Sequence, residues 1–234
     1  VEPIPPIDEN NSRTELLPLF PLGTVLLPEM PLSLHVFEPR YRQLVADLLS
    51  DTDPAAPVFG VVALRQGWEV GELSDVHDVG TTARVTDLVP HPDGRCDLTA
   101  VGERRFTIQS IDTASQPYLM ASVRYLGEPA GDIEPGDSEK VRQALLGHLN
   151  VLAALTETEV DLSTPPVTDL SLSYAVARLP TLPLEDRQLL LSCGDTAGRL
   201  AAARRILRRE TILMRQLHSV PAGASAFRTN QPPS

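Results

Sequence analysis

The sequence predicts a two-part α+β chain, a β-barrel lobe followed by an α-helical bundle with a long C-terminal helix. Three observations carry this. Up to about residue 126 the apolar residues fall in short runs rich in Val, Ile, Leu and Thr and bounded by Gly, Pro or Asp, which mark strands. Beyond residue 137 they recur every three or four positions, which marks amphipathic helices. Between the two, Gly127 to Gly136 is acidic and rich in Gly and Pro, as hinges are. The lobes are expected at 14–127 and 137–218, with disordered ends at 1–13 and 219–234.

The elements follow in order. Leu16 to Val45 is apolar but broken by Pro18, Pro21, Pro28 and Pro31. Each ring removes an amide donor and blocks the preceding helical turn, so extended pieces must carry these side chains. Leu32, Leu34 and Val36 alternate with Ser33 and His35 as in a half-buried strand, and Phe37-Glu38-Pro39 closes that strand and opens a helix. Further strands are expected at 58–65, 81–88, 97–103, 106–111 and 120–125, with His91-Pro92-Asp93-Gly94 as a hairpin turn. Many short strands and one early helix suit a closed or curled barrel, with Leu19, Phe20, Leu34, Val36 and Phe37 in its wall.

In the second lobe Val141, Leu145, Leu149 and Leu152 stripe one helix, capped by Asp137 or Ser138. A second is expected at 169–179, ended by Pro180, and a third at 184–193, stopped by Gly194. The fourth and longest, 196–218, carries Leu200, Ala203, Ile206, Leu207, Leu213, Met214 and Leu217 as its apolar stripe.

Composition narrows the class. The net charge is −11, yet 196–218 holds six arginines against Glu210 alone, so one helix is basic and the remainder acidic. No run of about 18 apolar residues could span a bilayer, so no membrane partner is expected. Val1 to Arg13 lacks a basic-then-apolar leader pattern, which makes the cytoplasm the expected compartment. Cys96 and Cys193 stand far apart, which argues against a disulfide framework.

Catalytic signatures are missing. Lys140 is the only lysine and follows no Gly-rich loop, so neither a Walker-type phosphate site nor a serine-lysine peptidase is expected. The histidines show no His-Glu-x-x-His pattern; His91, Asp93 and Cys96 with His77 and Asp78 read as a polar hairpin turn plus a loop. No enzyme activity, metal or cofactor is expected. Glu38, Arg40, Arg42, Glu103, Arg104 and Arg105 are expected to form ion pairs that orient the first helix.

Several motifs stand in a recognisable order: Pro-Leu-Phe-Pro-Leu at 18–22, Phe-Glu-Pro-Arg-Tyr at 37–41, Val-Gly-Thr-Thr-Ala-Arg-Val at 79–85, Pro-Asp-Gly at 92–94, Val-Gly-Glu-Arg-Arg-Phe at 101–106, Gln-Pro-Tyr at 116–118 and Asp-Arg-Gln-Leu-Leu-Leu at 186–191. From about Thr14 to His218 the chain resembles the N-terminal substrate-binding domain of Lon proteases. The resemblance implies a PUA-like barrel and a non-catalytic module that binds unfolded or damaged polypeptides, or acts as an adaptor in protein quality control alongside a protease or chaperone. A homo-oligomer is compatible with it. The alternative is RNA binding through a PUA-like barrel, which the net negative charge disfavours. Candidate polypeptide contacts are Leu26, Leu27, Pro28, Met30, Pro31 and Leu32, around turns that cannot all point inward, with Trp68 and Tyr118.

Overall fold

The computed structural model describes residues 14–50, 57–65, 75–156 and 168–217. The segments 1–13 and 219–234, expected to be disordered, lie outside these residues. The chain divides into two compact units, Val1–Glu128 and Pro129–Ser234. The first contains β1 (Glu15–Leu22), β2 (Pro31–Val36), α1 (Pro39–Ser50), β3 (Val58–Ala63), β4 (Val79–Pro90), β5 (Cys96–Asp112) and β6 (Leu119–Tyr125). The second contains α2 (Asp137–Thr156), α3 (Asp169–Ala177), α4 (Leu184–Ser192) and α5 (Thr196–Leu217).

The six strands form one mixed sheet in the order β2-β5-β4-β3-β1-β6, with an additional pairing of β6 to β5. Among the described residues β1 and β3 make the one parallel pair: residues 19–22 of β1 run beside β3, while residues 15–19 pair antiparallel with β6. This handover explains how a strand with two prolines sits inside the ladder. Pro18 falls where only β6 is in register and Pro21 where only β3 is, so neither missing amide is needed on a second side.

β5 departs from the sequence reading. Two strands were expected at 97–103 and 106–111, but one 17-residue strand crosses the charged break. The charges there are satisfied: Glu103 pairs with Arg84, the Arg104 guanidinium lies 3.9 Å from the Tyr125 ring centroid, and Arg105 reaches Glu128. A register shift against β4 near Thr81–Ala83 and another against β6 near Ile108–Ser110 let this long strand serve β2, β4 and β6.

Two apolar clusters fill the first unit. One gathers Phe20, Leu26, Phe59, Val61, Leu98 and Ala100 with Tyr41, Leu44 and Val45 of α1. The other packs Leu17, Leu19, Val62, Phe106, Ala121 and Val123. Alternation along β1 and β3 sends successive side chains to the two clusters. Phe37, expected in the wall, is 60% exposed, because the alternation that buries Val36 turns its neighbour outward.

In the second unit α5 packs against α2, α3 and α4. Leu200, Ala203, Ile206, Leu207 and Met214 are buried as its stripe predicts, whereas Leu213 lies at the margin of that arc and is 39% exposed. Arg199, on the same helix, is fully buried. It donates to the Leu190 carbonyl at 3.0 Å and the Ser173 hydroxyl at 3.2 Å, and its guanidinium lies 4.2 Å from the Tyr174 ring centroid. Thr168 caps α3 reciprocally with Ser171.

Candidate functional site

The turn that leads into β2 is clamped from three directions. Pro28 and Glu29 are its central residues, Glu29 is left-handed at φ 61°, and the Met30 N–H donates to the Leu27 carbonyl at 3.1 Å, the pattern of a type II turn. The Thr81 hydroxyl donates to the Leu26 carbonyl at 2.7 Å from beneath. The Glu29 N–H donates to the Gly102 carbonyl at 2.7 Å, and the Gly102 N–H donates to the Met30 carbonyl at 2.9 Å. Glycine is required at 102 because a Cβ would stand 2.2 Å from the Leu27 carbonyl oxygen.

Beyond this turn β2 forms an open edge. Among the described residues it pairs with β5 alone. The bond from Gly102 to Met30 sets the parity of that ladder. Since bonded and non-bonded pairs alternate, Leu32, Leu34 and Val36 exchange hydrogen bonds with β5, and the backbones of Ser33 and His35 face away from it. Pro31 occupies an outward position of the same kind, where a missing amide costs the β5 ladder nothing. The strand bears no Asp, Glu, Lys or Arg to defend the edge.

The candidate contacts separate by depth. Leu26 and Leu27 are buried, and Pro28, Met30 and Leu32 are partly covered, while Pro31 is exposed. Met30, Leu32 and Leu34 pack against the cluster that holds Leu26. Tyr118 is in that same cluster, its hydroxyl donating to the Asp47 carboxylate at 2.7 Å. Burial, and then the Asp47 carboxylate, push its phenol up to about 12. Leu26, Leu27 and Tyr118 therefore support the surface from below. Trp68 lies outside the described residues. Sequence reasoning missed Phe37 as a surface residue, although its shared parity with His35, one strand step away, was the available signal.

On the solvent face of this edge, strands and turn bring together three polar side chains that are dispersed in sequence. His35 Nδ1 lies 2.6 Å from Asp97 Oδ1, and His91 Nε2 lies 2.8 Å from Asp97 Oδ2. Hydrogen bonds from the two imidazoles hold the Asp97 carboxyl below the ordinary carboxylate range. Cys96, weighed with His91 in the sequence, points the other way into the apolar cluster.

The ion pairs expected around the first helix form with a different distribution. Glu38 pairs with Arg40 at 2.7 Å, but Arg105 is fully buried and binds Glu128 at 2.6 Å and the Gly127 carbonyl at 2.8 Å, tying β5 to the segment after β6. In the second unit the basic residues of α5 also divide. Arg209 pairs with Asp186 and Glu210, and Arg204, Arg205 and Arg208 line a cavity of about 470 Å³ with Asp137 and Val141. No helix among the described residues is long and apolar enough to cross a membrane.

A six-stranded mixed sheet followed in sequence by helices defines a domain of mixed α+β fold. The chain belongs to the family of the ATP-dependent protease La (LON) substrate-binding domain, whose model matches residues 16–209. A Lon N-terminal domain protein from Xanthomonas campestris shares this fold with a TM-score of 0.60 and 25% identity, covering 83% of this chain and 98% of that one. The N-terminal domain of a Mycobacterium avium complex Lon protease superposes with a TM-score of 0.59 at 17% identity, over 85% of this chain and 98% of the other, and speaks for the fold alone. Among curated relatives, a Lon protease of Flavobacterium johnsoniae is 27% identical over 64% of this chain, and Lon protease 2 of Herpetosiphon aurantiacus 28% identical over 92%. The chain spans 18% and 26% of the length of those two relatives. The family is that of a substrate-binding domain.

Proposed function

We propose that this chain binds unfolded or partly folded polypeptides, and that the open edge of β2 with its entry turn is where it does so. The supporting observation is the edge itself: Ser33 and His35 turn two N–H and two C=O groups away from β5 beside Pro31, Leu32 and Phe37. An extended chain added there would bond through its backbone, which every polypeptide has, and would rest apolar side chains on the Pro28–Leu32 turn and Phe37. Recognition of this kind requires no particular sequence, as a binder of damaged proteins needs. At about 0.5–1.5 kcal/mol net per hydrogen bond, four bonds supply roughly 2–6 kcal/mol before any apolar contact.

The pairing of β6 with both β1 and β5 supports a barrel of PUA-like type for the first unit, with β2 laid along its outside. A role as an adaptor in protein quality control, handing clients to a separate protease or chaperone, and self-association are the finer parts of this reading. Nothing in the family match or the fold neighbours supports RNA binding.

The test is affinity for a permanently unfolded, carboxymethylated reporter protein. Ser33→Pro removes one outward N–H and leaves the β5 ladder whole, so it is expected to weaken binding about five- to tenfold, the worth of one hydrogen bond, with an unchanged melting temperature. Equal affinity in the variant would remove β2 as the site. Failure of the unmodified chain to bind the reporter at all would remove the function.

A further inference from the structure

We propose that His35, His91 and Asp97 bind one divalent transition-metal ion, zinc foremost, on the solvent face of the β2–β5–β4 edge. This site is independent of the polypeptide reading. Two imidazoles and a carboxylate are the donor set that borderline divalent ions prefer, and water can complete a four-coordinate shell at so open a position. Among the described residues this is the one gathering of three or more potential ligands, and their donor atoms lie within 4.8 Å of one another.

The backbone builds the site before any ion arrives. His35 stands directly opposite Asp97 in the β2–β5 ladder, and Val89, two residues before His91, stands opposite Asp97 on the other side. His91 is held by the hairpin turn: its N–H donates to the Arg95 carbonyl at 2.8 Å, and its own carbonyl accepts from the Gly94 N–H at 3.0 Å. Three ligands thus come from cross-strand neighbours and a closed turn, so little chain entropy remains to be lost on binding. Phe37, with its ring centroid 6.2 Å from that of His35, flanks the site.

Charge and spacing favour a cation. The nearby Arg95 is engaged by Asp93, with Nε to Oδ2 at 2.7 Å, and the Asp97 carboxylate stands between the two imidazoles. At metal–ligand distances of about 2.0–2.2 Å, neighbouring donors of a tetrahedral shell stand roughly 3.3 Å apart. The separations of 2.6 and 2.8 Å need to open by about 0.7 and 0.5 Å, and the imidazole nitrogens, within 4.8 Å of each other, to settle to the same spacing, within reach of side-chain torsions at a surface. On binding, Nδ1 of His35 and Nε2 of His91 each present a lone pair to the ion in place of the hydrogen bond to Asp97, and each coordinating ring carries its one N–H on the opposite nitrogen. The ion replaces two hydrogen bonds with three coordination bonds, two from the imidazoles and one from the carboxylate.

The experiment titrates the metal-stripped full chain with Co²⁺, read by its visible absorption, and then displaces the cobalt with Zn²⁺. One equivalent is expected to saturate an intense, four-coordinate-type spectrum, and NMR is expected to show the His35 and His91 rings shifting while the buried His148 ring does not. His35→Ala and Asp97→Asn should each weaken binding by about a hundredfold or more, since even outer partners of metal ligands are worth about 10–100-fold. Cys193→Ser should leave it unchanged. Absence of saturable binding, or a full equivalent bound with unaltered affinity in His35→Ala, would overturn the assignment and leave the three groups as a hydrogen-bonded cluster only.

Discussion

Among the described residues each unit of this protein buries one arginine completely, and the two arginines do different things. Arg105 sits on a strand already held by three neighbouring strands, and it pins the chain's exit by grasping Glu128 and the Gly127 carbonyl. Arg199 sits on a helix, whose regular backbone bonds run along its own axis, and it joins α5 to the Leu190 carbonyl of α4 and the Ser173 hydroxyl and Tyr174 ring of α3. A sheet links its elements through the main chain, whereas a bundle must link them through side chains. The β unit can therefore leave a strand edge unpaired, while the helical unit depends on a few central residues.

The comparison is broken most directly at those arginines. Arg199→Ala is expected to cost the second unit about 3–5 kcal/mol, because it opens a cavity and strands a buried carbonyl and hydroxyl together. Arg105→Ala should cost less, about 2–3 kcal/mol, since Glu128 is 28% exposed and can turn to water. Urea denaturation followed by far-UV circular dichroism ranks the two, and an equal or reversed ranking would contradict the division of labour.

A substitution in the clamped turn comes next. Gly102→Ala drives a Cβ against the Leu27 carbonyl oxygen at 2.2 Å and is expected to cost about 2 kcal/mol and to weaken polypeptide binding, because the turn that opens β2 must shift. Thermal melts and the unfolded-reporter assay read both effects in one protein.

Acid sharpens the contrast from the helical side. His148 is fully buried between the Thr211 and Thr181 hydroxyls, and burial lowers its pKa despite the opposing pull of Glu210. Its folded pKa lies below the unfolded one. The unfolded chain therefore binds more protons once the pH drops below the ordinary imidazole value of about 6.5, and stability falls with it until the folded pKa is passed. His148→Gln should flatten this dependence over that range, read as the shift in urea midpoint between neutral and mildly acidic buffer. The smallest effect is expected at Glu29, whose φ of 61° favours glycine. Glu29→Gly should change stability by no more than about 1 kcal/mol, strain relief being opposed by the added freedom of the unfolded chain.

Much of this architecture was legible in the sequence because periodicity reports burial. The alternation of Leu32, Leu34 and Val36 and the three-to-four spacing of Leu200, Ala203 and Leu207 each identified an element and its inner face. The break at Arg104–Arg105 misled, because a charged pair looks like a loop until its partners, Tyr125 and Glu128, are brought together by the fold. The edge status of β2 was not readable, since it depends on which strands pair and not on the strand's own residues. Tyr118 followed the same logic from the other side. A tyrosine after proline looks like a surface ring, and only the distant Asp47 carboxylate shows why it can be buried. His35, His91 and Asp97 are separated by up to 62 positions, and only the register of three strands makes them neighbours.

The central claim is that an extended polypeptide adds to the outer edge of β2. Residue-resolved amide hydrogen exchange, with and without the carboxymethylated reporter, tests it at the atoms concerned. Binding by strand addition predicts that the Ser33 and His35 amides exchange rapidly in the free protein and become protected when the reporter is bound, while the Leu32 and Leu34 amides, already bonded to β5, stay protected throughout. Reporter binding with Ser33 and His35 still exchanging at their free rate would contradict it.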